Sequence, residues 1–443
     1  MIAGMEPKES FEGWLVNEGG PSDDFGVPWL DQARTSALAR VREQGIPGGK
    51  QEAWRYTSLK TLAEQPFKQY RDTFTAVEED DLEDLLVPGL DAHRAVLVNG
   101  RFMPGLSTLD QLPSGVRAGG LRSILGSDPD ALAGRLNQVA RDGVHVFSAL
   151  NTAGMDDGFV LLLPPGGEIE RPIELIHLSI GMEEPRVAQP RHLVVLEDGS
   201  QATLIERYVS LGESLYCTNS VLEIELGRGA VLRHDRIQEE SANAFHITGL
   251  YLSQAEGSRY QGLNLGLGAA WARSDLVVRF AGEHAECDLK GLYLSGDRQV
   301  MDYHVDVDHA VPSCASRETF KGILYGKGRA VFDGRIHVAV DAQKTDAHLS
   351  NRNLLLSRNA EVDTKPQLEI HADDVKCSHG TTVGQIEPEM LFYLRSRGIP
   401  AALARRMLCL GFAEEIIDSL GEEPLREYVA DRVGKRLEQA PLD

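Results

Sequence analysis

Residues 221–226 read Val221-Leu222-Glu223-Ile224-Glu225-Leu226, and a corner, Gly229-Ala230, follows closely. Apolar and charged residues alternate, the two-residue period of a strand with one buried face. Similar short runs recur at 159–163, 193–196, 276–280 and 354–356. Between them stand further corners that pair a glycine with a nearby alanine: Gly199 with Ala202, Gly268-Ala269, Gly282 with Ala285, and Gly328 with Ala330. Short strands with almost no helical signal leave a sandwich, a barrel or a β-solenoid. Small residues at each corner let successive coils stack without steric conflict, which favours the solenoid.

Working outward, both flanks turn helical. Pro28-Trp29 opens an amphipathic stretch with Leu30, Ala33, Leu38 and Val41 on one face, stopped by Gly45 and Pro47. The aromatic segment from Trp54 to Leu59 reads as a capped turn into another helix, a strand is expected at 95–99, and helical patterning returns at 131–139. On the C-terminal side, Glu387-Pro388-Glu389 starts a helix, with proline tolerated in its first turn and acids favourable at its positive end. Gly398-Ile399-Pro400 breaks it, a second helix runs to about Gly411-Phe412, and a third starts at Pro424. The expected organisation is a mainly helical region at 1–143, a β core at 144–380 and a helical region at 381–443.

Composition excludes several functions. A net charge of −22 argues against nucleic acid, whose phosphates need a positive surface. The acidic run at 78–84 reads as a solvated helix face or loop. No apolar run approaches the ~20 residues of a membrane span, and 1–18 shows no secretory apolar core, so a cytoplasmic protein is expected. The cysteines, Cys217, Cys287, Cys314, Cys377 and Cys409, form no C-x-x-C pair. A metal site would have to be assembled from distant positions or from two chains. Gly45-Ile46-Pro47-Gly48-Gly49-Lys50-Gln51 lacks P-loop spacing and its Ser/Thr, and no G-x-S-x-G elbow occurs. The chain reads as non-catalytic.

One block carries a resemblance. Asp374-Val375-Lys376-Cys377-Ser378-His379-Gly380-Thr381-Thr382-Val383-Gly384 resembles the signature of the SufB/SufD proteins of the SUF iron–sulfur cluster assembly system. The flanks agree: Thr364-Lys365-Pro366-Gln367 before it, Leu391-Phe392-Tyr393-Leu394-Arg395 after it, and Asp341-Ala342-Gln343-Lys344 upstream. The likeness is close over 147–412 and looser at Trp54 to Leu59 and Val98-Asn99-Gly100-Arg101. SufB-type sequences resemble Cys-x-His-Glu-Ala-Thr at this block; Gly380 after His379 makes this chain more similar to SufD. The resemblance implies a mainly β protein, with a right-handed parallel β-helix core between N-terminal and C-terminal helical regions. It further implies a scaffold subunit that pairs with a SufB-type paralogue and a SufC-type ABC ATPase, the partner that hydrolyses ATP. A transient iron–sulfur cluster is expected near the SufB–SufD interface, and a homodimer when the chain is alone.

Within the block, Cys377 and His379 stand two apart, so an extended backbone points both side chains to one face. Thiolate and imidazole both ligate iron. The alternative from composition is a packed cysteine beside a core histidine. The resemblance favours His379 as a metal-binding residue, and Cys377 stays open between ligand and packing residue. The ATPase contact implied for the C-terminal helices would use Leu391, Phe392, Tyr393, Arg395, Arg397, Met407 and Phe412. Asp302, His304, Asp306 and Asp308 alternate along one strand; an iron entry row is conceivable, but a solvent-facing edge explains the pattern as well. The other four cysteines are read as packing residues. Two rival functions remain: a polysaccharide-active β-helix enzyme, which would need a groove of catalytic acids, and a purely structural paralogue that contributes no cluster ligand.

Overall fold

The computed structural model describes residues 14, 25–70, 77–141 and 145–440. Apart from Trp14, the stretch 1–18 lies outside the described residues, as does residue 144, where the β core is expected to start.

Residues 159–384 wind as a parallel β-solenoid of about eight turns. Each turn gives one strand to each of two sheets, an 11-stranded and a 10-stranded one among the described residues. Trp271 pairs with Val300 and Val300 with Arg329, steps of 29 residues. Across the lumen the row Cys287, Ser316, Ala347 and Cys377 repeats the stacking on the second sheet. The interior is one apolar column that includes Leu276, Val278, Phe280, Phe320, Phe332 and Leu349.

Several corners behave as their composition suggests. A Cβ on Gly282 would lie 2.1 Å from the Glu256 amide nitrogen of the coil below, and one on Gly328 would lie 2.1 Å from the Ser295 carbonyl oxygen. Backbone meets backbone at these corners, and no side chain is present to move aside.

The flanking regions cover the sheets' outer faces. Trp14, Trp54, Leu59, Phe67 and Phe147 pack on Cys217, Phe245, Ile247 and Trp271 of the first sheet. Arg273 fastens that cover: its guanidinium lies 3.8 Å from the Trp54 ring centre, donates to the Ala53 carbonyl at 2.8 Å and pairs with Asp302 at 3.0 Å. On the second sheet, Cys409, Ala413, Ile416, Val429 and Val433 of helices Ala401–Ile417 and Glu423–Gln439 cover Ile237, Leu265, Leu292, Leu294 and Ile323. Arg207 ties the last helix down, pairing with Glu174 and Glu239 and donating to the Tyr428 hydroxyl at 2.9 Å.

Those covers overturn the expectation of one buried face per strand. Strand Tyr216–Leu226 is buried on both faces, and Glu223 in it is 0% exposed. Its carboxylate pairs with Arg191 at 2.7 Å and accepts the amides of Asn137, Val139 and Ala140. The charge-alternating pattern therefore marks a strand whose outer carboxylate is partnered by protein instead of water.

Other expectations shift locally. The stretch 131–139 holds turns flanked by 3-10 segments, Pro129–Ala131 and Val139–Arg141, because Gly134 and Asn137 take left-handed φ values of 74° and 62°. The strand expected at 95–99 is His93–Val98, and it joins the second sheet beside Ile173–Ile180. A helix not read from the sequence, Val146–Gly154, precedes the first coil. The acidic run forms a short helix, Glu79–Glu83, with Leu82 alone buried. Among the described residues no helix is long and apolar enough to cross a membrane.

The corners supply a direct test. Gly282→Ala and Gly328→Ala should each destabilise by about 1–3 kcal/mol or more, the usual cost of overpacking. Gly434→Ala, in open space within helix Glu423–Gln439, should instead stabilise by up to about 1 kcal/mol. Urea midpoints at constant m-value measure both signs.

Candidate functional site

The solenoid is uncapped where it ends. Among the described residues, strand Glu361–Ile370 pairs only with Arg329–Val338, and Lys376–Gly384 only with Asp346–Leu355 and no later strand. Every residue of Lys376–Gly384 except the half-buried Cys377 is exposed. Its outer edge thus offers a row of unpaired N–H and C=O groups.

Cys377 and His379 fall on this strand in the lumen rows. Cys377 is in register with buried Ala347, and His379 with buried Leu349. Thr364 and Thr381 meet across the lumen at 3.0 Å between their hydroxyl oxygens, which fixes the inward sense of the alternation. On the outward row, Ser378 lies 2.5 Å from His348, whose other nitrogen lies 2.8 Å from Asp346. Cys377 and His379 are therefore the polar ends of two interior columns, bare because no further coil follows.

All five thiols are free, and burial raises the pKa of each, Cys409 to about 12. Cys377 thus carries its proton at neutral pH, which a metal would have to displace. Cys217, Cys287, Cys314 and Cys409 are buried in the hydrophobic clusters, as read.

Two rows in from His379 sits a group the sequence did not single out. Glu318, in register with Leu289 and Leu349, is 1% exposed and neither carboxylate oxygen has a hydrogen-bond partner. Burial pushes its pKa up to about 8.

The residues expected to meet a partner divide. Helix Pro388–Ser396 has no buried residue; Phe392 is 72% and Tyr393 58% exposed, and Arg397 stacks on Tyr393. Met407, on the next helix, is 45% exposed, Arg395 is exposed and Leu391 is half-buried. Phe412 instead turns inward, joining the cluster under the helices with Lys321 Nζ 4.6 Å from its ring centre.

The row at Asp302 faces solvent only in part, and its strand is paired on both sides: His304, Asp306 and Asp308 are half-buried, and Asp302 is fully covered. Asp302 is 1% exposed, accepting from the Thr57 hydroxyl at 2.6 Å and pairing with Arg273, because the N-terminal segment folds over it. Asp306 pairs with Arg335 and Asp308 with His337, and His304 lies 3.0 Å from Asp302.

The structure also gathers His177, His192 and Glu206, whose ligand atoms lie within 4.8 Å of one another. The Phe159 amide donates to His192 Nδ1 at 2.9 Å, so in the neutral ring Nδ1 carries the lone pair and the proton sits on Nε2. Burial and the neighbouring His177 hold the ring neutral. With one nitrogen protonated and the lone pair of the other taken by the Phe159 amide, His192 has none left for a metal, so this cluster is a buried polar network.

Comparison with known proteins matches these features. Residues 179–412 match the SUF system FeS cluster assembly, SufBD core domain, and residues 23–175 the SufBD protein N-terminal region. The chain belongs to the SufBD family of the SUF iron–sulfur cluster assembly system. Within that family it is similar to the iron–sulfur cluster assembly protein SufD of Escherichia coli, 34% identical over 90% of this chain and 91% of that protein. An iron–sulfur cluster assembly SufBD family protein of Synechocystis is 36% identical over 88% of this chain and 87% of its own length. The chloroplastic protein ABCI7 of Arabidopsis thaliana is 31% identical over 91% and 85%.

Glu318 makes this end of the lumen pH-sensitive in a defined sense. A carboxyl pKa raised on folding gives stability that is complete below the ordinary value of 4.5 and lost as pH rises through about 8. Glu318→Gln should therefore melt several degrees above the wild type beyond pH 8 and match it below pH 4.5. Equal melting at both extremes, followed by circular dichroism, would contradict the buried, unpartnered carboxyl.

Proposed function

We propose that this chain is a non-catalytic SufD-type scaffold of a cytoplasmic SUF complex, working with a SufB-type paralogue and a SufC-type ATPase. The supporting observation is the uncapped last coil, which leaves Cys377 and His379 in lumen rows at an unpaired strand edge. A paralogue with the same coil geometry can add a strand there, bringing its own ligands beside them. His379 supplies an imidazole to the nascent cluster, the assembly's product rather than a resident cofactor. Cys377 either joins it, losing its proton to the incoming metal, or packs beneath it. The nine-residue helix Pro388–Ser396 is too short to be stable alone, and its bare Phe392 and Tyr393, with Arg395, Arg397, Leu391 and Met407, suit the ATPase. Phe412 supports that surface from beneath.

In a complex reconstituted anaerobically with both partners, His379→Ala should keep all three subunits together while iron and acid-labile sulfide fall about tenfold. Phe392→Asp should release the ATPase and leave the paralogue bound. Wild-type cluster content in His379→Ala, with the complex intact on size exclusion, would leave only the purely structural role.

A further inference from the structure

Helix Pro28–Gln44 carries Trp29, Gln32, Ser36 and Arg40 three or four residues apart, on one stripe. That stripe is one wall of a cleft of about 590 Å³; the turns around Asn137 and the side chain of Arg191 form the other. Small-molecule sites occupy roughly 300–1,000 Å³, so the cleft has the size of one.

Its lining is unusual for this chain. Among the described residues, no Asp or Glu lines the cleft. The Arg191 guanidinium is already matched by Glu223 at 2.7 Å. Arg40 makes no ion pair among the described residues, and its buried Nε lacks a hydrogen-bond acceptor.

Asn137 adds a second donor. It holds a left-handed φ of 62°, which a non-glycine residue adopts at a cost and which clusters at ligand sites. Two buried partners keep it there: its amide donates to Glu223 Oε1 at 2.7 Å, and its Oδ1 accepts from Arg191 Nη2 at 2.6 Å. Its Nδ2 is left buried without an acceptor. Buried donors are almost always paired, so two unsatisfied ones in the same acid-free cleft point to an acceptor from outside the chain.

We propose that this cleft binds a small organic anion, its charged group accepting from Arg40 and Asn137 and its flat apolar part lying against Trp29. The binding site is separate from the open coil, and its occupancy does not depend on cluster building.

Isothermal titration calorimetry on the full chain tests this with four probes: AMP, benzoate, adenosine and inorganic phosphate. Saturable binding of AMP or benzoate is expected, at least about tenfold tighter than adenosine or phosphate. Arg40→Ala should weaken it by about tenfold or more, as a hydrogen bond to a charged group contributes at least that factor. Asn137→Gly removes the amide while keeping a residue suited to positive φ, and should weaken binding similarly. Arg40→Ala breaks no described ion pair, so an unchanged melting temperature should accompany the loss. AMP preferred over benzoate marks a phosphate ligand, and the reverse a carboxylate. No saturable binding of either, equal binding of adenosine or phosphate, or wild-type affinity in Arg40→Ala would overturn the proposal.

Discussion

Each coil of this protein is completed by the backbone of the coil beside it. In a parallel ladder every strand needs a neighbour on both sides to satisfy its N–H and C=O groups. Corners such as Gly282 and Gly328 make that stacking close enough, since any Cβ there would collide with the previous turn. The same constraint guarantees that the final coil, Glu361–Ile370 with Lys376–Gly384, remains unsatisfied. The proposed ligands Cys377 and His379 sit on that coil, so the feature that builds the fold also leaves an edge that another strand can extend.

Elsewhere the protein conceals its sheet surfaces. The terminal regions cover the two outer faces over buried ion pairs of the solenoid: Arg273 with Asp302 and Asp275, Arg191 with Glu223, and Arg207 with Glu174 and Glu239. Ala53, Thr57, Asn137 and Tyr428 of the covers hydrogen-bond to these same groups. Removing one partner of such a pair leaves a buried charge and typically costs about 3–5 kcal/mol. The covers reach strand Glu361–Ile370 only through the Glu52–Lys365 pair and leave Lys376–Gly384 and helix Pro388–Ser396 exposed. Bare backbone edge and bare aromatic side chains thus lie near one another in sequence, as expected of an assembly subunit in the SufBD family.

Local chemistry made much of this legible. The glycine–alanine corners announced stacking, and the helix breaks at Gly45 and Gly398–Pro400 fall where helices end. The spacing of Cys377 and His379 was enough to put them on one face. What stayed hidden depended on distant partners. Glu223 reads as a solvent-facing charge until Arg191 and the turn at Asn137 are folded against it, and Asp302 until Thr57 and Arg273 arrive. Phe412 looks like a docking residue because sequence cannot tell which side of a helix meets Lys321. Glu318 carries no motif; only the column of Leu289 and Leu349 around it reveals an unpartnered acid.

Hydrogen–deuterium exchange of strand Lys376–Gly384 tests the central claim most directly, comparing the chain held monomeric by dilution with the chain bound to its SufB-type paralogue. Edge amides should exchange rapidly in the monomer and become protected in the complex, while strands such as Trp271–Phe280 stay protected in both. Equal exchange at 376–384 in the two states, with the complex formed, would contradict completion of the last coil by a partner strand.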